Sequence, residues 1–167
     1  MIVFGVDPGS NLAGLAVLKM KPQGDERPDL LALDIYNAPQ KLKFDEKLFH
    51  IIGEIEKAVK EFRPDVLVLE EAFTGANIQS ALRLAEIRGA IIYLAQKYGI
   101  KIEHIAARKV KKAITGKGNA SKESVASFLR FEFSLGEQEI PVDATDALGI
   151  AYSFCVGLNS TAIELES

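Results

Sequence analysis

Cysteine is scarce in this chain of 167 residues, which contains a single one, Cys155. One cysteine cannot form an intrachain disulfide, and it excludes a zinc site built from several cysteines. We therefore interpret Cys155 as a small core residue in a protein of a reducing compartment. A chain of this length buries roughly two thirds of its unfolded surface without disulfides or structural metal, so a single domain of residues 1–167 is predicted.

Histidine and long apolar runs are also scarce. The two histidines, His50 and His104, fall in a helical pattern and a strand pattern, with no serine or cysteine arrangement that indicates a hydrolytic triad. No apolar run approaches the roughly 20 residues of a membrane span, and residues 1–20 lack a basic leader. These absences predict a soluble cytoplasmic protein that makes no membrane contact.

Basic residues are outnumbered overall, since the formal net charge is −3, but they are concentrated in one segment. Residues 101–130 carry a local charge of +6, which leaves −9 for the rest of the chain. The net charge alone argues against a nucleic-acid partner, whereas the basic segment favours one. Its lysines and arginines are Lys101, Arg108, Lys109, Lys111, Lys112, Lys117, Lys122 and Arg130.

The hydrophobic pattern predicts a mixed α/β order without a repeat or an interdomain linker. The first three strands are expected to be sequential antiparallel neighbours, and the fourth to be buried on both faces. The predicted strands cover residues 2–7, 12–20, 30–37, 65–71 and 100–106. The predicted helices cover residues 44–62, 77–98, 107–114, a stretch starting at Ser121, and 142–158.

Two carboxylates stand at the ends of predicted strands. Asp7 ends the first strand, immediately before Pro8 and Gly9, and Glu70 ends the fourth. If these strands are neighbours, both side chains lie at one edge of the sheet, while Glu71 points to the opposite face. Ordinary interpretations compete, because Asp-Pro-Gly is common turn chemistry in which glycine supplies a positive φ, and a strand-end glutamate can simply be solvated.

Two further carboxylates, Asp143 and Asp146, lie three residues apart at the start of the last predicted helix. Asp143 alone could be an acidic residue that stabilises a helix N-terminus. Asp146, however, belongs to the apolar stripe that leads into the core, where a carboxylate needs a partner cation. Four carboxylates on two strands and a helix suit Mg²⁺ or Mn²⁺, and a pair of such ions can hydrolyse a phosphodiester.

Four segments resemble, in order and at family spacing, successive motifs of the RuvC family, the bacterial Holliday-junction resolvases of the ribonuclease-H-like nuclease and integrase superfamily. The resemblance covers nearly the whole chain. It implies a ribonuclease-H-like α/β fold with a five-stranded mixed sheet flanked by helices, in which the first and fourth strands are adjacent and the last helix packs on them. The segments are "GVDPGSNLAG", "LEEAFTGANIQSALRLAEIRGA", "ARKVKKAITGKGNASKESV" and "DATDALGIA".

The resemblance also implies a function, that of a crossover junction endodeoxyribonuclease in recombination and repair. It implies a homodimer that makes paired symmetric nicks in four-way junctions, with branch-migration motor proteins as partners. Mg²⁺, which Mn²⁺ can replace, is implied at two ions per site. The metal-binding catalytic set that it carries over is Asp7, Glu70, Asp143 and Asp146.

The lysines that the family pattern carries over are Lys111 and Lys122, in "KVKKAI" and "NASKES". An ammonium beside the metal centre could hold the scissile phosphate or stabilise charge in the transition state, although a solvated basic helix face is the alternative. Lys112 would occupy a different face. Phe73 either folds onto the core or stacks on an opened base, as the resemblance implies. The predicted DNA-binding set is Phe73, Lys109, Lys111, Lys112, Lys117 and Lys122.

The helix over 77–98 carries more apolar side chains than one sheet face would cover, including the small residues Ala81, Ala85 and Gly89. Burial within the monomer and contact with a second copy are both open, and the second predicts the homodimer. Two other functions compete with the resolvase. A catalytically silent DNA-binding member of the same fold is one; an actin-like ATPase or sugar kinase, which needs two such domains, is the other.

Overall fold

The computed structural model describes residues 1–21, 27–71, 77–136 and 141–166, which form a five-stranded sheet and five helices. The predicted mixed α/β order is confirmed. In chain order the elements are β1 (Ile2–Pro8), β2 (Leu12–Lys19), β3 (Asp29–Asn37), α1 (Phe44–Phe62), β4 (Val66–Glu70), α2 (Ile78–Lys97), β5 (Lys101–Ile105), α3 (Ala107–Thr115), α4 (Lys122–Glu132) and α5 (Val142–Glu166).

The sheet has the strand order β3-β2-β1-β4-β5. β1 pairs antiparallel with β2, and β2 pairs antiparallel with β3, as expected for strands joined by short connections. β4 and β5 extend the sheet on the other side of β1 in parallel, each after a helix that carries the chain back. The predicted adjacency of the first and fourth strands is therefore confirmed.

Two hydrophobic cores lie on the two faces of the sheet. Phe4, Leu67 and their alternate neighbours pack against α1 and α2 on one face. Val3, Val68 and their alternate neighbours pack against α5 and the flanking α3 and α4 on the other. This alternation follows from the twofold period of a strand, and burial on both faces explains why β1 and β4 are almost continuously apolar.

Cys155 lies in the second core and is 1% exposed, which confirms its assignment as a core residue. Burial raises the pKa of its thiol to about 12. Within the described ranges, none of the helices combines the length and apolar character that a bilayer crossing requires.

The turn after β1 differs from the sequence prediction. Pro8 is the last residue of β1 and pairs with Ala13, so the chain turns only after it. Gly9 does not have a positive φ. Its N–H donates to the Leu12 carbonyl oxygen at 2.9 Å, and a Cβ at this position would lie 2.8 Å from that oxygen. Close approach of the backbone, and not a left-handed conformation, therefore requires glycine here.

The last helix is longer than predicted, since α5 continues to Glu166 and does not end at Leu158. The sequence after Leu158 contains neither glycine nor proline, so no helix-breaking residue stops the backbone there. α1 ends as predicted, because Arg63 adopts a left-handed conformation with φ of 49° just before Pro64. The additional turns of α5 lie far along the chain from Asp143 and Asp146.

Candidate active site

Asp7 and Glu70 lie side by side at one edge of the sheet. The parallel register pairs Val6 with Leu69, so the next residues on the two strands are Asp7 and Glu70. Residues at equal height on neighbouring strands point to the same face, and Val68 shows that this is the face covered by α5. Two carboxylates from distant parts of the sequence therefore share one edge and one face.

Two glycines allow α5 to approach this part of the sheet unusually closely. A Cβ at Gly14 of β2 would collide with the Asp143 carbonyl oxygen, and a Cβ at Gly5 of β1 would collide with the Ala147 carbonyl oxygen. The first turns of α5 therefore lie directly on the backbones of β1 and β2. This contact brings the half-buried Asp143 and Asp146 to the strand end that carries Asp7.

The pKa of Asp7 reports how closely the four carboxylates are grouped. The Asp7 pKa is raised from 3.8 to about 7, most of all by burial and then by the charges of Asp146, Asp143 and Glu70, while Lys122 opposes the shift. The pKa of Glu70 is also raised, mainly by burial and then by Asp146. Like charges in a half-buried site disfavour ionisation, so this site stabilises added positive charge.

Lys122 supplies positive charge to the site from the first turn of α4. Its Nζ lies 2.6 Å from Asp146 Oδ2, and this hydrogen bond raises the lysine pKa. Ser121 fixes the start of α4, because its side chain accepts the Ser124 N–H. Lys122, Asp146 and Glu70 line a cleft of about 220 Å³. The other residues that line it are Ala107, Val110, Lys111, Val125, Gly149 and Ile150.

The chemistry of the four carboxylates fits a hard divalent cation, because such ions prefer oxygen ligands and would relieve the repulsion that adds to the effect of burial on the Asp7 pKa. Across the described ranges, however, no three carboxylate, imidazole or thiol groups stand in an arrangement that would already hold a metal ion. Asp146 already has a cationic partner, since it pairs with Lys122. The donor set therefore fits the ion, and the ammonium competes with it for Asp146.

The family model described as crossover junction endodeoxyribonuclease RuvC matches residues 3–154, which include all four carboxylates. The chain belongs to the RuvC family. Proteins of this family are metal-dependent nucleases, in agreement with the oxygen-rich donor set. The predicted ribonuclease-H-like fold is likewise confirmed by solved RuvC structures.

Relatives from several bacteria support this assignment. The RuvC of Chloroherpeton thalassium is 40% identical over 90% of this chain and 80% of its own length. The RuvC of Bacteroides fragilis is 34% identical over 98% of this chain and 86% of its own length. Among solved structures, Thermus thermophilus RuvC in complex with a Holliday junction substrate superimposes with a TM-score of 0.87 at 27% identity, covering 96% of each chain.

The other site residues predicted from the RuvC resemblance fall into three groups. Lys111 lines the cleft with Glu70 and Lys122, whereas Lys112 is exposed on a different side of α3, as predicted. Lys109 and Lys117 are also exposed. Phe73 lies outside the described residues. The exposed Glu71 donates its N–H to the Ile105 carbonyl oxygen at 2.9 Å, next to the edge where Glu70 faces α5.

Sequence reasoning missed one residue near the RuvC carboxylates, Arg88 on α2. Its side chain is 9% exposed, and Nη1 donates to the Glu70 carbonyl oxygen at 2.5 Å. Burial lowers the pKa of its guanidinium, while the charge of Glu70 opposes that shift. A signal was available, because Arg88 stands within the apolar stripe of Leu84, Ile87 and Ile91, where a charge requires a partner.

Proposed function

We propose that this protein is a Holliday-junction resolvase, an endonuclease that makes paired symmetric nicks in four-way DNA junctions during recombination and repair. The observation that carries the proposal is the grouping of Asp7, Glu70, Asp143 and Asp146 at one sheet edge, where burial and then the three neighbouring carboxylates raise the Asp7 pKa to about 7. Membership of the RuvC family and the likeness to a RuvC bound to a Holliday junction support it.

The four carboxylates are proposed to hold Mg²⁺, which Mn²⁺ can replace, at two ions per site. Held by these residues, such ions would supply Lewis-acid chemistry for the activation of a water and the stabilisation of the leaving oxygen of the phosphodiester. Asp7 and Glu70 fix the site to the rigid sheet, while Asp143 and Asp146 close it from α5. The mutual repulsion of the carboxylates makes the site selective for added positive charge.

The two cleft lysines are proposed to act on the scissile phosphate. Lys122 lies 2.6 Å from Asp146, and its ammonium would become available to a phosphate oxygen if Asp146 held a metal ion instead. Lys111 lines the same cleft from α3. Lys109, Lys112 and Lys117 extend the basic surface beyond the cleft, where they are proposed to contact DNA phosphates, and Phe73 is proposed to stack on a base.

A homodimer built on α2 is proposed to pair two such sites. One side of α2 leaves large apolar residues uncovered, with Ile78 at 76%, Leu82 at 60% and Tyr93 at 70% exposure. Ala85 and Gly89 lie on the same side between them and are exposed. Small residues in the middle of an apolar stripe let a second helix approach closely, and a twofold contact would set two identical sites against a nearly symmetric junction.

The remaining proposals concern the organisation and setting of the protein. We propose that residues 1–167 act as one nuclease domain, consistent with a family match that spans residues 3–154. The protein is proposed to act in the cytoplasm on chromosomal junctions, with branch-migration motor proteins as partners.

The deciding experiment compares incision of a synthetic four-way junction with that of a linear duplex of the same sequence, with Mg²⁺ and with chelator. We expect Mg²⁺-dependent paired nicks in the junction alone. Junction binding without incision in any divalent metal would instead identify a silent DNA-binding member of the fold. Equal cleavage of the duplex would contradict junction selectivity.

Removing ligand charge should abolish incision without abolishing binding. Asp7→Asn, Glu70→Gln and Asp146→Asn are each expected to lower the incision rate roughly 100-fold or more, since even groups that only orient metal ligands cost 10–100-fold. Binding, measured by gel shift in chelator, should persist because the lysines remain. Glu71→Gln is the matched control, and a loss of incision there with normal rates for Glu70→Gln would show that the strand register is wrong.

A further inference from the structure

The geometry points to Arg88 as a positioning residue that holds the main chain of Glu70 at the candidate active site. Nη1 of Arg88 donates to the Glu70 carbonyl oxygen at 2.5 Å, and Nη2 lies 3.5 Å from His104 Nδ1 on the neighbouring strand β5. The contact is to the backbone of Glu70, so it fixes where the strand ends and leaves the carboxylate available to a ligand.

The direction of the Glu70 carbonyl group follows from a neighbouring hydrogen bond. The Glu71 N–H donates to the Ile105 carbonyl oxygen of β5. The C=O and N–H of one trans peptide point in opposite directions, so the Glu70 carbonyl oxygen points away from β5 and toward β1. In a parallel pair with this register, its donor would be the backbone nitrogen of the residue after Asp7.

That residue is Pro8, whose nitrogen carries no hydrogen. The Gly9 N–H donates to the Leu12 carbonyl oxygen of β2, so the nitrogen of the preceding residue points to the opposite side, toward β4. The Pro8 nitrogen and the Glu70 carbonyl oxygen therefore face each other without a hydrogen between them. Arg88 supplies the donor that the strand cannot, because a carbonyl oxygen left without a donor at this part-buried position would destabilise the fold.

The position of Arg88 gives this contact a wider role. Among the residues that the structure describes, no other charged side chain is as fully buried. Arg88 belongs to α2, the helix whose other side carries the exposed residues Ile78, Leu82 and Tyr93. A displacement of α2 would therefore reach Glu70 through a single rigid guanidinium, whose planar donors hold a fixed direction.

The inference rests on the proposed metal site, so the experiment measures Mn²⁺ binding by titration calorimetry without DNA. Arg88→Met is expected to weaken Mn²⁺ binding about 10–100-fold, the range seen when groups that orient metal ligands are removed. Arg88→Gln keeps a polar head but is two bonds shorter, so it should show the same loss and replaces Arg88→Met if that variant does not fold. Arg83→Met is the control, because Arg83 is an exposed arginine on the same helix as Arg88 and lies 5.4 Å from the Phe44 ring of α1. This variant should bind Mn²⁺ like the unmodified protein.

A second substitution separates positioning from a general loss of stability. Pro8→Ala adds a backbone N–H opposite the Glu70 carbonyl oxygen, so it should restore Mn²⁺ binding when combined with Arg88→Met. The carbonyl ¹³C resonance of Glu70 should move in Arg88→Met and return in the double variant. An unchanged resonance, a variant with unweakened Mn²⁺ binding, or absence of rescue would each overturn the inference. Failure of the unmodified protein to bind Mn²⁺ would instead refute the metal site, while the resonance would still test the Arg88 contact.

Discussion

Asp7 holds its proton to an unusually high pH because it is half-buried among three other carboxylates. Its pKa in the folded protein is about 7, against 3.8 for an unperturbed aspartate, and the Glu70 pKa is raised as well. Between pH 3.8 and about pH 7, the folded protein therefore binds more protons than the unfolded chain. The free energy of unfolding is therefore highest below the lower value and falls as pH rises toward the upper one.

We predict this pH dependence for protein in chelator, measured as the thermal unfolding midpoint across the window from 3.8 to about 7. Each pKa unit corresponds to about 1.4 kcal/mol. Asp7→Asn should remove most of the slope, and Mg²⁺ should stabilise the protein only on the alkaline side, where the carboxylates are ionised. A full slope in Asp7→Asn would contradict the assignment of the shift to this residue.

For single residues, the sequence predicted which side chains belong to the candidate site better than it predicted what those side chains contact. Asp7, Glu70 and Asp146 could be selected because each carboxylate stands next to apolar residues. The ordinary turn interpretation of Gly9 was wrong, because it requires a positive φ, whereas the actual constraint on Gly9 is the nearby Leu12 oxygen. The apolar stripe around Arg88 could have indicated that this charge needs a partner, but the identity of the partner depends on the parallel register and on a missing N–H in another strand.

The position of α5 on the sheet depends on residues outside the helix. Its first turns fit against the sheet only because Gly5 and Gly14 have no side chain. The sequence pattern predicted the helix and the strands, since both have clear periods, but the depth of their contact depends on which glycines face the helix. Which glycines face the helix can be determined only once the strand order and register are known.

Gly14→Ala should therefore force the start of α5 away from the sheet. We expect a loss of about 1–3 kcal/mol or more in unfolding free energy, because the new Cβ meets backbone that cannot rotate away. Mn²⁺ affinity should fall with it, as Asp143 and Asp146 move from Asp7. Gly53→Ala, with open space around it in α1, is the control and should be neutral or stabilising by up to about 1 kcal/mol. Denaturant unfolding of both variants checks this, and equal stability would contradict it.

The uncovered side of α2 gives a second prediction at this scale. Ala85→Glu should yield a folded monomer with unchanged Mn²⁺ affinity but without coordinated paired nicks, because a charge would be buried unpaired in the contact. Ser80→Glu adds the same charge on another side of the helix, and should remain dimeric. Sedimentation at micromolar concentration measures both. A monomeric unmodified protein that still makes paired symmetric cuts on a junction would rule out this interface.

Over the whole molecule, the distribution of charge should affect junction binding more than the net charge does. Although the chain carries −3, its segment 101–130 carries +6, so junction affinity should fall steeply with salt as counterions are released from DNA. Alanine at Lys109, Lys112 and Lys117 should reduce the slope of log affinity against log salt by about 0.9 for each lost phosphate contact. Lys57→Ala, an exposed lysine on α1, should leave the slope unchanged, and an equal effect there would contradict the localisation.

Substitution of the cleft lysines should affect incision and binding differently from substitution of the exposed basic surface. Alanine at Lys111 and Lys122 should lower the rate of incision far more than junction binding, because both line the cleft that contains Glu70 and Asp146. Single-turnover rates and gel shifts on the same junction separate the two effects. An equal loss of both would assign these lysines to the general DNA-binding surface.

The contact of α5 with Gly5 and Gly14 also determines when, during synthesis, the four carboxylates of the site come together. Because synthesis runs from the N-terminus, Asp7 and Glu70 are made before Asp143 and Asp146. Until α5 has been made and has packed on β1 and β2, only Asp7 and Glu70 of the four site carboxylates are in place. A chain that ends before Asp143 therefore cannot assemble the group of four carboxylates that cutting is proposed to require.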